Sequence, residues 1–302
     1  MGKTARGKIR NALGDRLFMA ADYLILSLAT LLVLYPLVYV VSSSFSSPAA
    51  VMSGRVWLWP VDFSLAGYQS VFKNNQVMVG YMNTVLYTVC ATALGVTLSV
   101  MAAFPLSRKN VLVGCRAFNT YIVFTMLFSG GMVPTYLLIK DLGMLNKRLA
   151  LIIPGAVSAY NIIIARTFFV NSIPDDLYEA ATLDGCGDAH FLWTIVLPLS
   201  KAILAVLTLF YAVGHWNSYM PALLYIRKAA LFPLQIVLRN ILIMSSYSAE
   251  MVADVQSEIA MQGMEALLKY ALIVVGSAPI LMLYPFVQRY FVTGVMIGSL
   301  KG

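Results

Sequence analysis

The residues that could do chemistry in this sequence form two groups. One is acidic and lies in a single polar stretch: Asp175, Asp176, Glu179 and Asp184. The other consists of neutral polar side chains inside long apolar segments. Its members are Asn83, Tyr87, Tyr160, Asn161, His215 and Asn217.

The neutral polar group suits the binding of a sugar. Aromatic rings can stack on the face of a sugar, and amides, imidazoles and hydroxyls can hydrogen-bond with its hydroxyl groups. Asn83 and Tyr87 are four residues apart and would share one helix face. We therefore expect this group to line a substrate pathway. Helix-to-helix packing is the alternative explanation for each member, because such side chains also join helices inside membranes.

Sequence motifs of catalysis are missing. There is no phosphate-binding Gly-x-x-x-x-Gly-Lys-Ser/Thr loop, no His-Glu-x-x-His motif and no nucleophile elbow. Cys90, Cys115 and Cys186 are scattered, and His190 and His215 are far apart, so no zinc site is predicted. We expect a non-catalytic chain that binds no metal or cofactor of its own. Any energy for transport must come from another polypeptide.

Composition places most of this chain in lipid. Its 302 residues are 60% hydrophobic and only 11% charged, whereas about a quarter of a soluble domain is charged. A soluble fold of this length has too little interior to hide so much apolar surface. The net charge of +8 therefore indicates cations kept on one side of a bilayer rather than a nucleic-acid partner.

Six apolar segments are long enough to cross a bilayer, which takes about 20 residues of helix. They are Leu24–Val41, Tyr81–Leu106, Ala117–Ile139, Leu149–Val170, Ala202–Ile226 and Tyr270–Gln288. The pattern predicts an all-α polytopic membrane protein with six transmembrane helices. Ile241–Tyr247 is apolar but too short to span, and fits a surface or re-entrant segment. The glycines and proline of Ser129–Pro134 should break the third span.

The centres of these spans contain no Asp, Glu, Lys or Arg. Ion-coupled carriers usually need such residues in the membrane to bind or relay the coupling ion. An autonomous ion-coupled carrier is therefore the weaker alternative to a transporter driven by a partner. Besides Tyr and Cys, His215 is the candidate for titration within a span, and a hydrogen-bonded histidine at a helix interface explains it better than a proton relay does.

Basic residues set the expected orientation and the domain bounds. The cations of the N-terminal tail favour a cytoplasmic N-terminus, and six spans then place the C-terminus there too. We expect a cytoplasmic tail over 1–18, a six-span domain over 19–288 and a second cytoplasmic tail over 289–302. The long cytoplasmic loop 171–201 lies between the fourth and fifth spans, and long loops are often functional.

The acidic group lies in this loop, in a segment with clear helix signals. Pro174 suits the first helical turn, Ser172 could cap it, and Gly185 could end it. Leu177, Ala180, Ala181 and Asp184 fall at helical spacing and would form a small, weakly apolar face. Such a helix could dock into a groove of a partner. It could also lie against the spans of its own chain.

The loop resembles the signature of importer-type ABC permease subunits, which is Glu-Ala-Ala, three residues, Gly, nine residues and Ile-x-Leu-Pro. The matching positions are Glu179, Ala180, Ala181, Gly185, Ile195, Leu197 and Pro198. Gly143–Asn146, His215–Asn217 and Gln288–Gly302 are similar to the carbohydrate-importing branch. Over roughly residues 20 to 302 the chain resembles the smaller permease subunit of maltose-type importers, and more closely that of Gram-positive oligosaccharide importers served by a lipoprotein receptor.

This resemblance implies the partners and the mechanism. A second, different permease subunit would complete the pathway, and two ATP-binding subunits would supply ATP and Mg²⁺ chemistry. An extracellular or periplasmic binding protein would deliver the sugar to a bacterial cytoplasmic (inner) membrane. The loop helix would be the coupling helix that docks on an ATPase subunit. The docking residues implied are Leu177, Glu179, Ala180, Ala181, Asp184 and Gly185, with 288–302 as secondary candidates.

The identity of the solute stays open at this point. The Glu-Ala-Ala motif alone would also fit an importer of a non-sugar solute. An acidic sugar is compatible with neutral spans, because charge pairing could come from a partner subunit or from Arg227, Lys228 and Arg239. The stretch Arg227–Lys269 is expected to be a long outer loop that faces the binding protein.

Overall fold

The computed structural model describes the backbone of residues 13–108, 114–250 and 255–299, and the side chains of 14–108, 114–243, 263–285 and 288. These parts are helical and contain no β-strand. The predicted all-α class is therefore confirmed. Of the two predicted tails, residues 1–12 and 300–302 and the side chains of 289–299 lie outside the described residues.

The described residues form fifteen α-helices. They are α1 Leu13–Ser44, α2 Pro48–Met52, α3 Ala66–Lys73, α4 Asn75–Ser107, α5 Cys115–Leu127, α6 Met132–Asp141, α7 Leu149–Ile152, α8 Ala159–Ser172, α9 Asp175–Leu183, α10 Asp188–Phe191, α11 Leu197–Leu199, α12 Lys201–Trp216, α13 Met220–Tyr225, α14 Leu234–Glu250 and α15 Val255–Ser299. A π-helical turn at Leu192–Val196 joins α10 to α11, and a 3-10 turn at Ala229–Leu231 precedes α14.

One compact unit comprises residues 1–71 and 245–274. Its helix α1 begins at Leu13, inside the predicted tail, and leaves its long apolar surface exposed. After α1, serine hydroxyls fasten the following segment: Ser42 Oγ donates to the Leu58 carbonyl (2.6 Å), and Ser46 Oγ accepts from the Val61 N–H (3.1 Å). These bonds satisfy backbone groups of a segment with little regular structure, as burial requires.

The second unit comprises residues 72–244 and 275–302, and α4 lies at its centre. This helix packs against α8 and α12. The shared core consists of buried side chains from all three helices and from the segment that follows α9. Among them are Val100, Ala103, Phe104, Ile162, Ala165, Phe169, Phe191, Val196, Ile203 and Leu207. Fully buried alanines on both α4 and α8 let the backbones approach closely, which is how helices gain van der Waals contact inside a membrane.

Two spans are broken. Helices α5 and α6 meet at an angle of 109°, with Gly131 between them at a φ of 86° that favours glycine. The predicted break at Ser129–Pro134 is therefore present. A second bend of 85° separates Asp188–Leu199 from Lys201–Trp216.

The number of spans follows from these breaks. Among the described residues, three helices are long and apolar enough to cross a membrane, or up to five if each bent pair counts as one span. The predicted fourth span is divided into α7 and α8, each too short by itself. The stretch 227–269, expected as a loop, is largely helical because it contains α14 and the start of α15. A count of six spans stays a prediction.

Candidate functional site

A large cavity opens between α8, α12 and α13. Its volume is about 1060 Å³, at the upper end of the roughly 300–1,000 Å³ of small-molecule sites. Four residues of the predicted substrate pathway line it: Tyr160, Asn161, His215 and Asn217. We call this space the aromatic cavity, since Phe210, Tyr211, Tyr219 and Tyr225 also line it.

Two rings form an accessible platform in the aromatic cavity. Tyr160 at the start of α8 is 55% exposed, and its ring stacks with that of Phe210 on α12, with centroids 6.4 Å apart and planes at 28°. Accessible ring faces of this kind are what the C–H-rich face of a sugar needs for stacking. Exposure of these two ring faces to water is unfavourable. The apolar face of a sugar can stack on them and cover them.

Asn161 supplies a free polar group beside this platform. The residue is only 5% exposed, lines the cavity, and its side chain forms no hydrogen bond with any described residue. Its position is fixed, because its backbone N–H is capped by Ser158 Oγ (3.4 Å) at the start of α8. An amide that lines a cavity and has no partner among the described residues can form hydrogen bonds with a ligand or with water. Asn161 is therefore ready to bind a hydroxyl group.

Tyr211 anchors the floor of the cavity. Its hydroxyl is 2.7 Å from Ser99 Oγ on α4 and accepts the Ser158 N–H at 3.0 Å. The ring lies so close to α4 at Gly95 that a Cβ there would be 2.8 Å from its Cε1 atom. Only glycine accommodates this contact, which joins α12, α8 and α4 behind the cavity.

His215 and Asn217 are placed differently from each other. His215 stacks on Tyr211 with ring centroids 6.4 Å apart, and its ring packs against Gly155, where a Cβ would lie 2.9 Å from His215 Cε1. Asn217 lies at the end of α12, where its Nδ2 donates to the Val213 carbonyl at 3.0 Å. Asn217 thus caps the end of α12, which was not predicted, and lines the cavity with His215, as expected for both from sequence.

Asn83 and Tyr87 do not line the aromatic cavity. Asn83 Nδ2 donates to the carbonyls of Ala230 (2.8 Å) and Phe232 (3.1 Å), and Tyr87 Oη donates to that of Leu231 (2.9 Å). Both side chains satisfy backbone carbonyls of the short segment that runs from the 3-10 turn at Ala229–Leu231 to the start of α14. For these two residues the structure favours the alternative, helix packing.

The loop helix is α9, and it presents one face outward. Successive residues of a helix are about 100° apart, so Tyr178 and Ala181 lie on one side and pack against the core. Asp176, Glu179, Ala180 and Leu183 lie on the opposite side and are exposed, Leu183 by 89%. We call these four residues the docking face.

The remaining predicted docking residues surround this face. Leu177 and Asp184 are exposed at its edge, and Gly185 ends the helix at a φ of 79°, a conformation that favours glycine. Ala181, by contrast, turns inward against its own chain, so the second alanine of the motif helps to seat α9. The helix starts after Pro174, and Ser172 belongs to the end of α8 instead of capping α9.

Arg108 fixes α9 to the end of α4. This arginine is 2% exposed, and its guanidinium forms an ion pair with Asp175 and donates to the Ile173 carbonyl at 3.0 Å. Close by, Arg166 Nε donates to the Leu106 carbonyl at 3.0 Å. A planar guanidinium with several donors can hold two acceptors in one geometry. The start of α9 is thereby tied to the central helix of the unit.

Tyr178 fixes the other side of α9. Its ring lies 5.8 Å from the Arg108 guanidinium carbon and makes an edge contact with Phe191 at 5.2 Å. Its hydroxyl donates to Asp188 Oδ1 at 2.6 Å. That hydrogen bond, together with burial, raises the pKa of Tyr178 above its ordinary 10.0. A hydroxyl that stays protonated keeps the bond in place at neutral pH.

Arg108, Tyr178 and Leu183 were missed by reasoning from sequence. Helical spacing gives the signal for the last two, because Tyr178 lies between the exposed positions and Leu183 follows Ala180 by three. Arg108 carries no such signal, since it looks like one of several cations near a span end. Among the described residues, no group of three or more His, Cys, Asp or Glu side chains could hold a metal ion.

A helical fold with several apolar helices, a helix α9 fixed to one end of α4 and an aromatic cavity towards the other end is typical of a membrane transport subunit. No family model matches the sequence. The polygalacturonan/rhamnogalacturonan transport system permease protein YtcP of Bacillus subtilis is 40% identical over 95% of this chain and 99% of its own length. Protein LplC of the same organism is 37% identical over 97% of this chain and 98% of its own.

A solved structure agrees with these relatives. It is that of a bacterial ABC transporter involved in the import of the acidic polysaccharide alginate, with a TM-score of 0.82 and 35% identity. The match covers 94% of this chain and all of that one. The chain belongs to the carbohydrate ABC importer permeases. It is a permease subunit of a carbohydrate importer, as the resemblance at Glu179–Pro198 together with that at Gly143–Asn146, His215–Asn217 and Gln288–Gly302 predicted.

Proposed function

We propose that this subunit forms part of the path of an acidic oligosaccharide across a bacterial cytoplasmic membrane, driven by ATPase subunits that dock on α9. The observation that carries the proposal is the pairing of an aromatic cavity with a separate, rigidly held docking face in one unit. The chain itself is proposed to be non-catalytic, with ATP and Mg²⁺ bound by the partners.

The aromatic cavity supports the sugar path. Tyr160 and Phe210 offer a stacking platform, and Asn161 offers an amide that has no hydrogen-bond partner among the described residues. A cavity of about 1060 Å³ has room for more than one sugar unit. Together these features match the mostly apolar walls and few convergent polar groups of small-molecule sites.

The relatives support an acidic substrate. Polygalacturonan, in the name of one relative, is a chain of galacturonic acid, and alginate, in the description of the solved relative, is an acidic polysaccharide. Uronic acids keep the ring faces and hydroxyls of neutral sugars and add a carboxylate. A short oligomer of uronic acids would use the same platform and the same amide.

The docking face supports the partners. Asp176 and Glu179 are exposed acids beside the small Ala180, and no basic residue lies on α9. An acidic, flat helix fits a groove with basic walls on an ATPase subunit. We propose two such subunits, a second and different permease, and an external binding protein. Both termini and α9 are then cytoplasmic.

The direct test uses the complete transporter. The chain, its second permease, the ATPase subunits and the binding protein are reconstituted in liposomes, and ATP hydrolysis is measured with trigalacturonate or with maltotriose on the binding protein. We expect trigalacturonate to stimulate hydrolysis several-fold more. Stimulation by maltotriose alone would overturn the acidic substrate but keep the importer. Hydrolysis unaffected by the presence of this subunit would overturn docking.

A further inference from the structure

A second pocket lies beside the aromatic cavity and differs from it in charge. Its volume is about 460 Å³. Its walls are Tyr136, Lys140, Leu145, Asn146, Leu224, Tyr225 and Arg227. We call it the cationic pocket, because two of these residues are basic and none of the described lining residues is acidic.

Among the described residues, the two cations form no ion pair. The ion pairs of the described residues are Arg55–Asp62 and Arg108–Asp175, so neither Lys140 nor Arg227 takes part in one. Two like charges on the wall of one pocket repel each other. An anion bound between them would remove this repulsion and gain charge-assisted hydrogen bonds.

Asn146 builds the pocket and fixes Arg227. Its backbone takes a left-handed φ of 62°, which asparagine tolerates better than most residues. Its Oδ1 accepts the N–H groups of Arg227 (2.7 Å) and Lys228 (2.9 Å), and its own N–H donates to the Tyr225 carbonyl at 2.8 Å. The chain on either side of Arg227 is therefore held in place before any ligand arrives.

The pocket also has an aromatic wall that it shares with the cavity. Tyr136 and Tyr225 stack with ring centroids 6.3 Å apart and planes at 27°. Tyr225 lines both the cationic pocket and the aromatic cavity. The cationic pocket and the aromatic cavity are therefore neighbours that share the Tyr225 side chain as a wall.

The cationic pocket lies near the end of α4 that is far from α9. Tyr225 packs in one cluster with Tyr87, whereas α9 is tied to Arg108. These two positions of α4 are separated by about 30 Å at a rise of 1.5 Å per residue, which is the thickness of a hydrocarbon core. If α9 is cytoplasmic, the cationic pocket opens at the outer surface.

From this geometry we infer that the cationic pocket binds the carboxylate of one uronic acid unit as the oligosaccharide enters the aromatic cavity. Arg227 can take the carboxylate with two parallel hydrogen bonds, Lys140 adds a second charge, and Tyr225 faces the ring. The inference rests on the proposed function, because it names the group of the substrate that this subunit recognises first.

The test is direct binding to the complete transporter in nanodiscs, without the binding protein. Calorimetry compares trigalacturonate with its methyl ester, which has the same rings and no charge. The variants are Arg227→Gln and Lys140→Gln. Lys147→Gln is the matched control, because Lys147 follows the pocket residue Asn146 in the chain but does not line the pocket. We expect each pocket variant to weaken trigalacturonate binding about tenfold, or 1.4 kcal/mol.

The methyl ester separates recognition of charge from damage to the fold. Its binding should be equal in wild type, Arg227→Gln and Lys140→Gln. An equal loss for acid and ester would overturn the carboxylate subsite, since it would indicate a structural effect. Unchanged binding of trigalacturonate in both variants would overturn it as well, while leaving the proposed function intact. If the wild-type transporter binds neither ligand, the proposed acidic substrate itself fails.

Anionic lipid could bring the same chemistry to the pocket. The measurements are therefore repeated in nanodiscs of phosphatidylcholine alone and in nanodiscs that contain phosphatidylglycerol. A tenfold effect of Arg227→Gln in pure phosphatidylcholine supports the sugar subsite. An effect confined to phosphatidylglycerol would overturn it in favour of a headgroup site.

Discussion

At one end of α4 a buried arginine holds an ion pair, a carbonyl and an aromatic ring, and ties the docking helix to the core. At the other end, about 38 Å away between Arg108 and Asn83, neutral side chains bind carbonyls of an irregular segment beside two open pockets. The first end resists displacement of α9. The second leaves polar and aromatic groups free for a ligand.

The contrast teaches where charge is useful in this subunit. A charge that is buried and paired makes a connection rigid, because separating it leaves groups without partners. Charges at Lys140 and Arg227 are left unpaired at a pocket wall, where they remain available. Neutral side chains line the aromatic cavity, where a sugar must both bind and leave.

Reversing the charge of the docking face should produce the largest effect. Glu179→Lys puts a cation where we expect basic walls on the ATPase, so uptake should fall about 30-fold or more. Uptake and co-purification of the ATPase subunits are measured together. Thr182→Lys introduces the same cationic side chain at the edge of the exposed surface, without removing an acid, and should have a much smaller effect. Normal uptake by Glu179→Lys would show that α9 is not the element that docks on the ATPase subunit.

Cutting the tie to α4 comes next. Arg108→Ala removes two charge-assisted hydrogen bonds from a buried site and should lower the stability of the loop by about 3 kcal/mol. Uptake should fall although the docking face is unchanged. The midpoint of thermal unfolding and uptake are the readouts, with the exposed Arg116→Ala as control. Wild-type uptake by Arg108→Ala would mean that the tie does not transmit force.

Removing the stacking platform tests the opposite end. Tyr160→Ala takes away an exposed ring and should raise the KM for uptake about fivefold, or 1 kcal/mol. Docking of the ATPase should be unaffected. Tyr160→Phe keeps the ring face and should preserve the KM. A loss of equal size in Tyr160→Phe would assign the effect to the hydroxyl group instead of the face.

A pair of asparagines separates binding from packing. Asn161→Ala should raise the KM and leave the unfolding midpoint unchanged, because the side chain lines the cavity and has no hydrogen-bond partner among the described residues. Asn83→Ala should lower stability by about 1–2 kcal/mol and leave the KM unchanged, because two carbonyls lose their donor. The reverse outcome would exchange the assignments of these residues.

The smallest effect concerns pH at the docking end. The hydrogen bond to Asp188 raises the pKa of Tyr178 above 10.0. Its stabilisation, about 1 kcal/mol, should be fully present below pH 10 and be lost as the pH rises through the raised pKa of the folded state. Tyr178→Phe lacks this contribution throughout, so the difference in unfolding midpoint between wild type and variant should shrink at high pH. A difference in unfolding midpoint that stays constant up to pH 11 would contradict this role of the Tyr178 hydrogen bond.

Local patterns predicted much of this molecule. Apolar length indicated the helices, Gly131 and its neighbours indicated the broken span, and the Glu-Ala-Ala pattern located α9 and its family. Each of these depends on residues close together in the chain. Asn161 was predicted to line the substrate pathway for the same kind of reason, because it is a polar residue in an apolar segment.

Contacts between distant residues could not be predicted. Nothing near Arg108 in sequence announces its partner Asp175, and nothing near Asn83 announces the carbonyls of Ala230 and Phe232. The inward turn of Ala181 depends on a core built from α4, α8 and the segment after α9. These outcomes are set by how helices cross, which one-dimensional spacing does not contain.

The length of α4 has a mechanical consequence. Its 33 residues make a rod of about 50 Å, clamped at one end by Arg108 and bordered at the other by the pockets. A rod of that length works as a lever: each degree of tilt about the clamped end moves the far end by about 0.9 Å. A small swing of the docking helix would therefore be enlarged, at the mouth of the cavity, to the width of a sugar hydroxyl or more.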